Sequence, residues 1–419
     1  MDAASEEPAM KRENVNSTGQ RPPSPRVALL AAMLVFVLYV AYVSTGTGQA
    51  LYLASKEWLP YDTRQHFGMS KRFMLQYGHV VFLFLLLILS RYIFVSTNRL
   101  PAYGPKMQFL NRYSLAIFLF HFPILFFAIA VFNYDSTNLA HQGALLCGTL
   151  IVCYLLGRVC FVIKPWFDTK QSKFLGFIDA RHPRSPSISV TKPLQITSLH
   201  SDLLSLVKLI ATLCVVLGHF SFDRFTNLNI PGFPGAAPRF AVPTFFMVSG
   251  YFLMMSIDRS KLGASAMLVR RAFSMYYVVI PALFFTLVLD AVGYRVDPSG
   301  YEFADYYIAQ HRERPYPDGQ ALGIFVSSAL YLNEIWIFNI LDVRSHMGGM
   351  RAYSNDPFWF MCYLIPFSAI LVAYRLLDGI KRYVVMVLLL LVVGPPVLLL
   401  APLFFSGALA YIIHKRLEA

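Results

Sequence analysis

Two ionisable side chains within one apolar stretch carry the strongest chemical signal in this sequence. The stretch DLLSLVKLIATLCVVLGHF, residues 202–220, holds Lys208 near its start and His219 near its end. In an α-helix, the step from one to the other is about 1,100° of rotation, or three turns plus about 20°, and a rise of about 16 Å. Both side chains therefore lie on one helix face, where Lys208 can neutralise an anionic ligand and His219 can move protons.

The same pair also has a plainer interpretation. The Lys208 side chain can extend to the membrane interface, and His219 can cap the helix there. Ionisable groups within a span are costly and usually face the bundle interior or a water-filled cavity. The residue pattern leaves both interpretations open.

The next apolar segment, residues 239–255, adds three residues that can contact a ligand. Arg239 stands at its outer edge, and Ser249 and Gly250 lie deep within it. Small residues inside a span allow another helix or a ligand to approach closely. Helix packing alone can also explain Gly250.

A pair of cations, Arg270 and Arg271, precedes the aromatic span that follows. Paired cations at the mouth of a span suit a phosphate-rich ligand. They equally suit the positive charge that anchors the cytoplasmic end of a span.

The composition requires a membrane around the chain. Of 419 residues, 56% are hydrophobic and only 14% are charged, whereas soluble domains average about 25% charged residues. Since about 20 apolar residues make one spanning helix, we predict an all-α, polytopic transmembrane bundle of about ten spans with both termini cytoplasmic. The predicted spans are 27–44, 77–97, 113–133, 142–163, 201–221, 241–257, 271–293, 357–375, 383–400 and 402–414.

The loops set the organisation and the orientation. The predicted segments are a disordered cytoplasmic N-terminus at 1–26, four spans within 27–163, a cytoplasmic linker at 164–200 and the remaining spans within 201–419. Lys and Arg are about twice as abundant on the inner side if 320–340, which Asn333 and Glu334 interrupt, is re-entrant or interfacial. This bias also explains the net charge of +13, so we expect no nucleic-acid partner.

Three motifs, in order, resemble the acyltransferase-three superfamily of integral membrane proteins. They are Lys208-x10-His219, FFMVSGYF at 245–252, and the arginine pair before a span that reaches Pro281. The later segments 356–367 and 404–411 are similar to later helices of that family. The family often has a second Arg three residues after the first. Here the residue three positions after Arg271 is Ser274, which leaves the details of CoA binding open.

The segment LNRYSLAIFLFHFPILFF, residues 110–127, resembles the last helices of the same family, yet here it comes first. The helix order therefore looks circularly permuted, although a fusion of two incomplete units, or extra spans before a truncated copy, would give the same pattern. His121 lies in the middle of this segment. A lone His at mid-membrane depth is a candidate site residue, or it hydrogen-bonds a helix carbonyl.

The resemblance implies transfer of an acyl group, usually acetyl, from a cytoplasmic acyl-CoA to a hydroxyl of a glycan or glycolipid across a bacterial inner membrane. Acetyl-CoA or another acyl-CoA would be the donor, His219 the general base, and no metal would be needed. Glu334 would orient His219 or bind the acceptor, unless it is merely interfacial. The predicted site comprises catalytic His219, Lys208 and Glu334, cofactor-binding Lys208, Arg270 and Arg271, and substrate-binding Arg239, Ser249 and His121.

Two other functions also fit the sequence. Spans with buried ionisable residues suit a transporter or exporter of an anionic or glycan substrate, although the inverted repeats typical of transporters are not visible. The second alternative is a non-catalytic membrane protein descended from an acyltransferase. It fits because the arginine motif is incomplete.

Overall fold

Helices make up nearly all of the part of the chain that the computed structural model describes, residues 24–58, 70, 72–95, 111–183, 194, 198–228, 237–301, 319–337 and 352–417. They are α1 (Pro25–Ser44), α2 (Thr47–Trp58), α3 (Phe73–Val95), α4 (Ser114–Val131), α5 (Leu139–Arg181), α6 (Ser198–Phe220), α7 (Ala237–Arg259), α8 (Ala264–Val296), α9 (Ala321–Ala329), α10 (Trp359–Leu376), α11 (Gly379–Leu398) and α12 (Ala401–Arg416). The predicted disordered N-terminus lies almost wholly outside the described residues, as does most of the Pro- and Ser-rich part of the linker.

Nine helices in the described ranges are long and apolar enough to cross a membrane: α1, α3 to α8, α10 and α11. The tenth predicted span, 402–414, is α12, a 16-residue helix that packs within the bundle. Large apolar side chains such as Leu30 and Val37 of α1 point outward, as lipid contact requires. The predicted polytopic all-α membrane bundle is confirmed.

Contacts between helix ends show how the spans alternate. At one end of the bundle, Asp258 of α7 forms ion pairs with Arg375 of α10, at 3.4 Å, and with Lys415 of α12. Ser90 near the end of α3 lies 3.1 Å from His200 at the start of α6. The ends of α3, α7, α10 and α12 and the start of α6 thus share one end of the bundle, called here the Asp258 end.

Helix α5 runs further than the sequence predicted. The expected linker 164–200 is helical as far as Arg181, because the segment rich in Pro and Ser begins only after that residue. Contacts with α8 stabilise the extension. For example, the N–H of Gly263, which precedes α8, donates to the carboxylate of Asp179 at 3.0 Å. What remains of the linker therefore starts and finishes at the Asp258 end.

The interrupted segment 320–340 does not form a spanning helix within its described part. Helix α9 has nine residues, a length of about 13 Å. The hydroxyl of Tyr331, just after α9, donates to the carbonyl of Ala272 in the first third of α8, at 3.3 Å. At the other end of α9, the carbonyl of Ala321 accepts a hydrogen bond from the hydroxyl of Tyr353, at 2.7 Å. This arrangement agrees with the predicted re-entrant or interfacial segment.

Helices α7 and α12 cross at two glycines. A Cβ on Gly250 would lie 2.0 Å from the carbonyl oxygen of Phe404, and a Cβ on Gly407 would lie 1.7 Å from the carbonyl oxygen of Met247. The two backbones thus approach through small residues, as membrane helices often do. The packing explanation offered for Gly250 is sufficient.

The replacement Gly250→Ala is expected to lower the free energy of unfolding by about 1–3 kcal/mol, because the added methyl group must push α12 away. Gly143→Ala is the matched control, since a Cβ there meets nothing within 4 Å. Thermal unfolding of both variants in detergent tests this; equal melting temperatures would contradict the close packing.

Candidate functional site

Two histidines from separate apolar runs meet at the centre of the site. Nε2 of His121 on α4 lies 2.8 Å from Nδ1 of His219 on α6. The two rings are nearly parallel, at 10°, with centroids 5.1 Å apart, as expected for a hydrogen bond made in the ring plane. His121 has no exposed surface, whereas His219 is partly exposed. A substrate can therefore reach only the second ring of the pair.

The hydrogen bonds assign the proton positions on both rings. Nδ1 of His121 lies 2.9 Å from the carbonyl oxygen of Ile117, one turn earlier on the same helix. A carbonyl only accepts, so this nitrogen carries a proton. In the neutral ring, which burial favours, Nε2 of His121 then accepts a hydrogen bond from the Nδ1–H of His219. Nε2 of His219 keeps its lone pair and is available as a base.

Aromatic rings cover the pair on the side away from the Asp258 end. The Phe122 centroid is 4.7 Å and the Phe222 centroid 5.8 Å from that of His219. Phe122 also packs against Phe126, at 4.9 Å. The Tyr134 hydroxyl donates to the carbonyl of Phe225 and so joins this aromatic cluster to the α4–α5 turn. Such a shell keeps water from this side of the imidazoles and strengthens electrostatic interactions there.

A basic cavity of about 590 Å³ lies towards the Asp258 end from the histidines. Arg112, Lys164 and Lys208 line it, and Lys164 pairs with Asp168 at 2.5 Å. Ser114 also lines it and precedes His121 by about 10 Å along α4, while Lys208 precedes His219 by about 16 Å along α6. The two helices thus present polar residues in the same order, from the cavity to the histidine pair.

The two predicted arginines separate in the structure. Arg271 lies close enough to Lys208 for their charges to repel, and its Nε has no hydrogen-bond partner in the described ranges. Arg270 is exposed and donates to Ser256 at 3.0 Å. The structure therefore brings Lys208 and Arg271 together as a pair of cations that an anionic group would stabilise, and leaves Arg270 on the surface.

The histidine pair and the lining of the basic cavity do not include the other three predicted site residues. Glu334 is buried and interacts electrostatically with Tyr363. Ser249 is half-buried on α7, beside the helix crossing. Arg239 belongs to the first turn of α7, but its side chain is outside the described residues. The roles given to these three residues stay predictions.

A polar loop that the sequence did not single out fixes α4 against α8. Asn355 Nδ2 donates to the carbonyl of Leu119 at 2.8 Å. The N–H and hydroxyl of Ser354 donate to the buried carboxylate of Asp290 at 2.8 and 2.6 Å. The only available signal was the run Ser-Asn-Asp-Pro before a span, which reads as an ordinary turn. This loop holds the helix that carries His121.

Comparison with known proteins identifies the family. The family described as an acyltransferase domain matches residues 9–158 and 202–415, nearly the whole chain on both sides of the linker. No curated protein and no solved structure matches the chain significantly.

Proposed function

The chain belongs to the acyltransferase-three superfamily, and we propose that it moves an acyl group, acetyl in the first instance, from acyl-CoA to a hydroxyl of a glycan or glycolipid. The observation that carries this proposal is the histidine pair, which leaves Nε2 of His219 unprotonated and accessible. We place the protein in a bacterial inner membrane with the basic cavity towards the cytoplasm, where CoA is found.

The proposed reaction needs one base and one anion site. The acceptor O–H gives its proton to Nε2 of His219 as the oxygen adds to the thioester carbon. The C–S bond then breaks, and the sulfur of CoA leaves with a proton returned by the same imidazole. Lys208, Arg271, Arg112 and Lys164 would bind the phosphates of CoA. His121 touches neither substrate and keeps His219 in the required tautomer.

The test is acyl transfer by the purified protein in nanodiscs. With acetyl-CoA labelled in the acetyl group, label should pass to a hydroxylated acceptor in a native membrane and cell-wall extract, or slowly to water. A transporter or a non-catalytic relative would leave the thioester intact. Loss of thioester no faster than in empty nanodiscs would overturn the proposed function.

The variant Lys208→Met tests the anion site. It keeps the apolar stem but removes the charge that faces the cavity. We expect KM for acetyl-CoA to rise about 10- to 100-fold, the value of a charged hydrogen bond, with a smaller change in kcat.

Lys173→Met is the matched control, because this residue is exposed on the α5 extension and does not line the basic cavity. It removes one positive charge outside the cavity and should leave KM within about twofold. An equal rise of KM in both variants would mean that Lys208 acts only through overall charge.

A further inference from the structure

A second cavity, with a different chemistry, lies between α4, α5 and α8. Its volume is about 500 Å³ and its lining is almost wholly apolar. On α5 the lining residues include Leu145, Gly148, Thr149 and Val152, which share one helix face. The cavity is called here the apolar groove. Its position within the spans gives it walls that suit a hydrocarbon chain and not a sugar.

The apolar groove is polar only at its rim and at one deep point. Asn133, Tyr134 and His141 line the rim beside the α4–α5 turn, at the end of the bundle opposite Asp258. The deep point is Thr149, which is 1% exposed and whose hydroxyl has no hydrogen-bond partner within the described residues. A buried hydroxyl without a partner is costly, so a ligand with an oxygen at this depth would satisfy it.

The deep point lies level with the histidine pair. Thr149 follows the first residue of α5 by ten positions, and His121 precedes the last residue of α4 by ten positions. Both are therefore about 15 Å from the turn that joins the two helices. On α4, the groove residue Ile124 is one turn beyond His121. An oxygen held at Thr149 would be at the depth where acyl transfer is proposed.

We infer that the apolar groove binds the hydrocarbon chain of the acyl acceptor, which is therefore a membrane lipid bearing a hydroxyl and not a soluble glycan. This inference rests on the proposed function. The lipid enters from the leaflet opposite the Asp258 end, with its polar end at the rim and, on the part of the molecule inside the groove, the accepting hydroxyl at Thr149. The proton of that hydroxyl passes to Nε2 of His219 as its oxygen bonds to the acyl carbon. The C–S bond then breaks, and CoA leaves as the thiol with the proton returned by the imidazole.

Two variants on α5 distinguish blockage of the apolar groove from the general effect of adding a large side chain. Gly148→Phe places a ring in the groove, where a Cβ meets nothing within 4 Å. Gly143→Phe, the control, places the same ring on an exposed glycine of α5 that does not line the groove. A third variant, Thr149→Val, removes the hydroxyl at constant shape and should leave the melting temperature equal or higher.

The experiment supplies labelled acetyl-CoA and a total lipid extract of the native membrane to the protein in nanodiscs. Label should appear in the chloroform phase. At subsaturating lipid, Gly148→Phe should lower this labelling at least about tenfold, since the ring displaces several methylene groups of the chain. Gly143→Phe should stay within about twofold. Label in water-soluble glycan, or lipid labelling unchanged by Gly148→Phe, would overturn the inference while leaving the proposed function intact.

A binding measurement covers the case in which no transfer occurs and the proposed function fails. A glycolipid with a diazirine in its acyl chain should crosslink to the peptide that contains residues 144–152, and Gly148→Phe should abolish the crosslink. Excess phosphatidylcholine should not displace it. If phosphatidylcholine competes equally well, the groove is a general site for bilayer lipid and the inference is wrong.

Discussion

Replacement of His219 by alanine is expected to abolish acyl transfer while membrane insertion is retained. The residue supplies the base for the attacking hydroxyl, and a general base contributes about 10²- to 10⁴-fold to the rate. Because proton transfer belongs to the transition state, kcat should fall and KM for acyl-CoA should change little. Single-turnover transfer from labelled acetyl-CoA in nanodiscs measures this directly.

Alanine also removes the partner of a buried ring, so a second variant is needed. In His219→Asn, the carboxamide nitrogen takes the place of Nδ1 and can still donate to Nε2 of His121, but no base replaces the distal nitrogen. The expected result is a protein as stable as the wild type and as inactive as His219→Ala. Substantial transfer by His219→Asn would show that the base is another group.

Hydropathy and helical periodicity were enough to predict the bundle, but not where tertiary contacts extend it. Each predicted span is helical within the described residues, since apolar runs of sufficient length have no other stable form in a bilayer. The continuation of α5 to Arg181 was missed because the segment is polar and is stabilised by α8. Helix α2 was also missed, because at 12 residues it is too short to register as a span.

The periodicity of α6 placed Lys208 and His219 on one face, and the structure puts Lys208 at the basic cavity and His219 at the histidine pair. It could not show which side chain meets His219, because His121 is 98 positions away and on another helix. Arg112 and Lys164 were overlooked for a different reason. Cations that flank spans are so common that orientation alone accounts for them, and only the shared cavity marks these two.

A circularly permuted helix order, and equally a fusion of two incomplete units, would fit the same contacts. Helix α4, which resembles the family's last helices, packs against α6, which resembles its first. The family match also falls on both sides of the linker. The histidine pair joins a residue before the linker to one after it, so both halves are needed to form the site.

The variants His121→Gln and His121→Leu are expected to differ sharply in kcat, although position 121 does not contact substrate. Glutamine can present its carboxamide oxygen to the Nδ1–H of His219 and so keep the tautomer with a free Nε2. Leucine fills the same space but accepts nothing, and the imidazole of His219 then rotates and exchanges tautomers. A partner that orients a functional imidazole is typically worth about 10- to 100-fold in activity.

The expected result is therefore near-normal transfer by His121→Gln and a drop in kcat of about 10- to 100-fold in His121→Leu, with KM for acyl-CoA unchanged in both. Thermal unfolding of each protein separates this effect from damage to the fold, because a leucine at a fully buried position can retain stability while losing orientation. If the two variants lose activity equally and also lose stability equally, His121 serves only to pack α4 against α6. If glutamine alone retains kcat, the hydrogen bond that residue 121 accepts from His219 is what makes His219 a base.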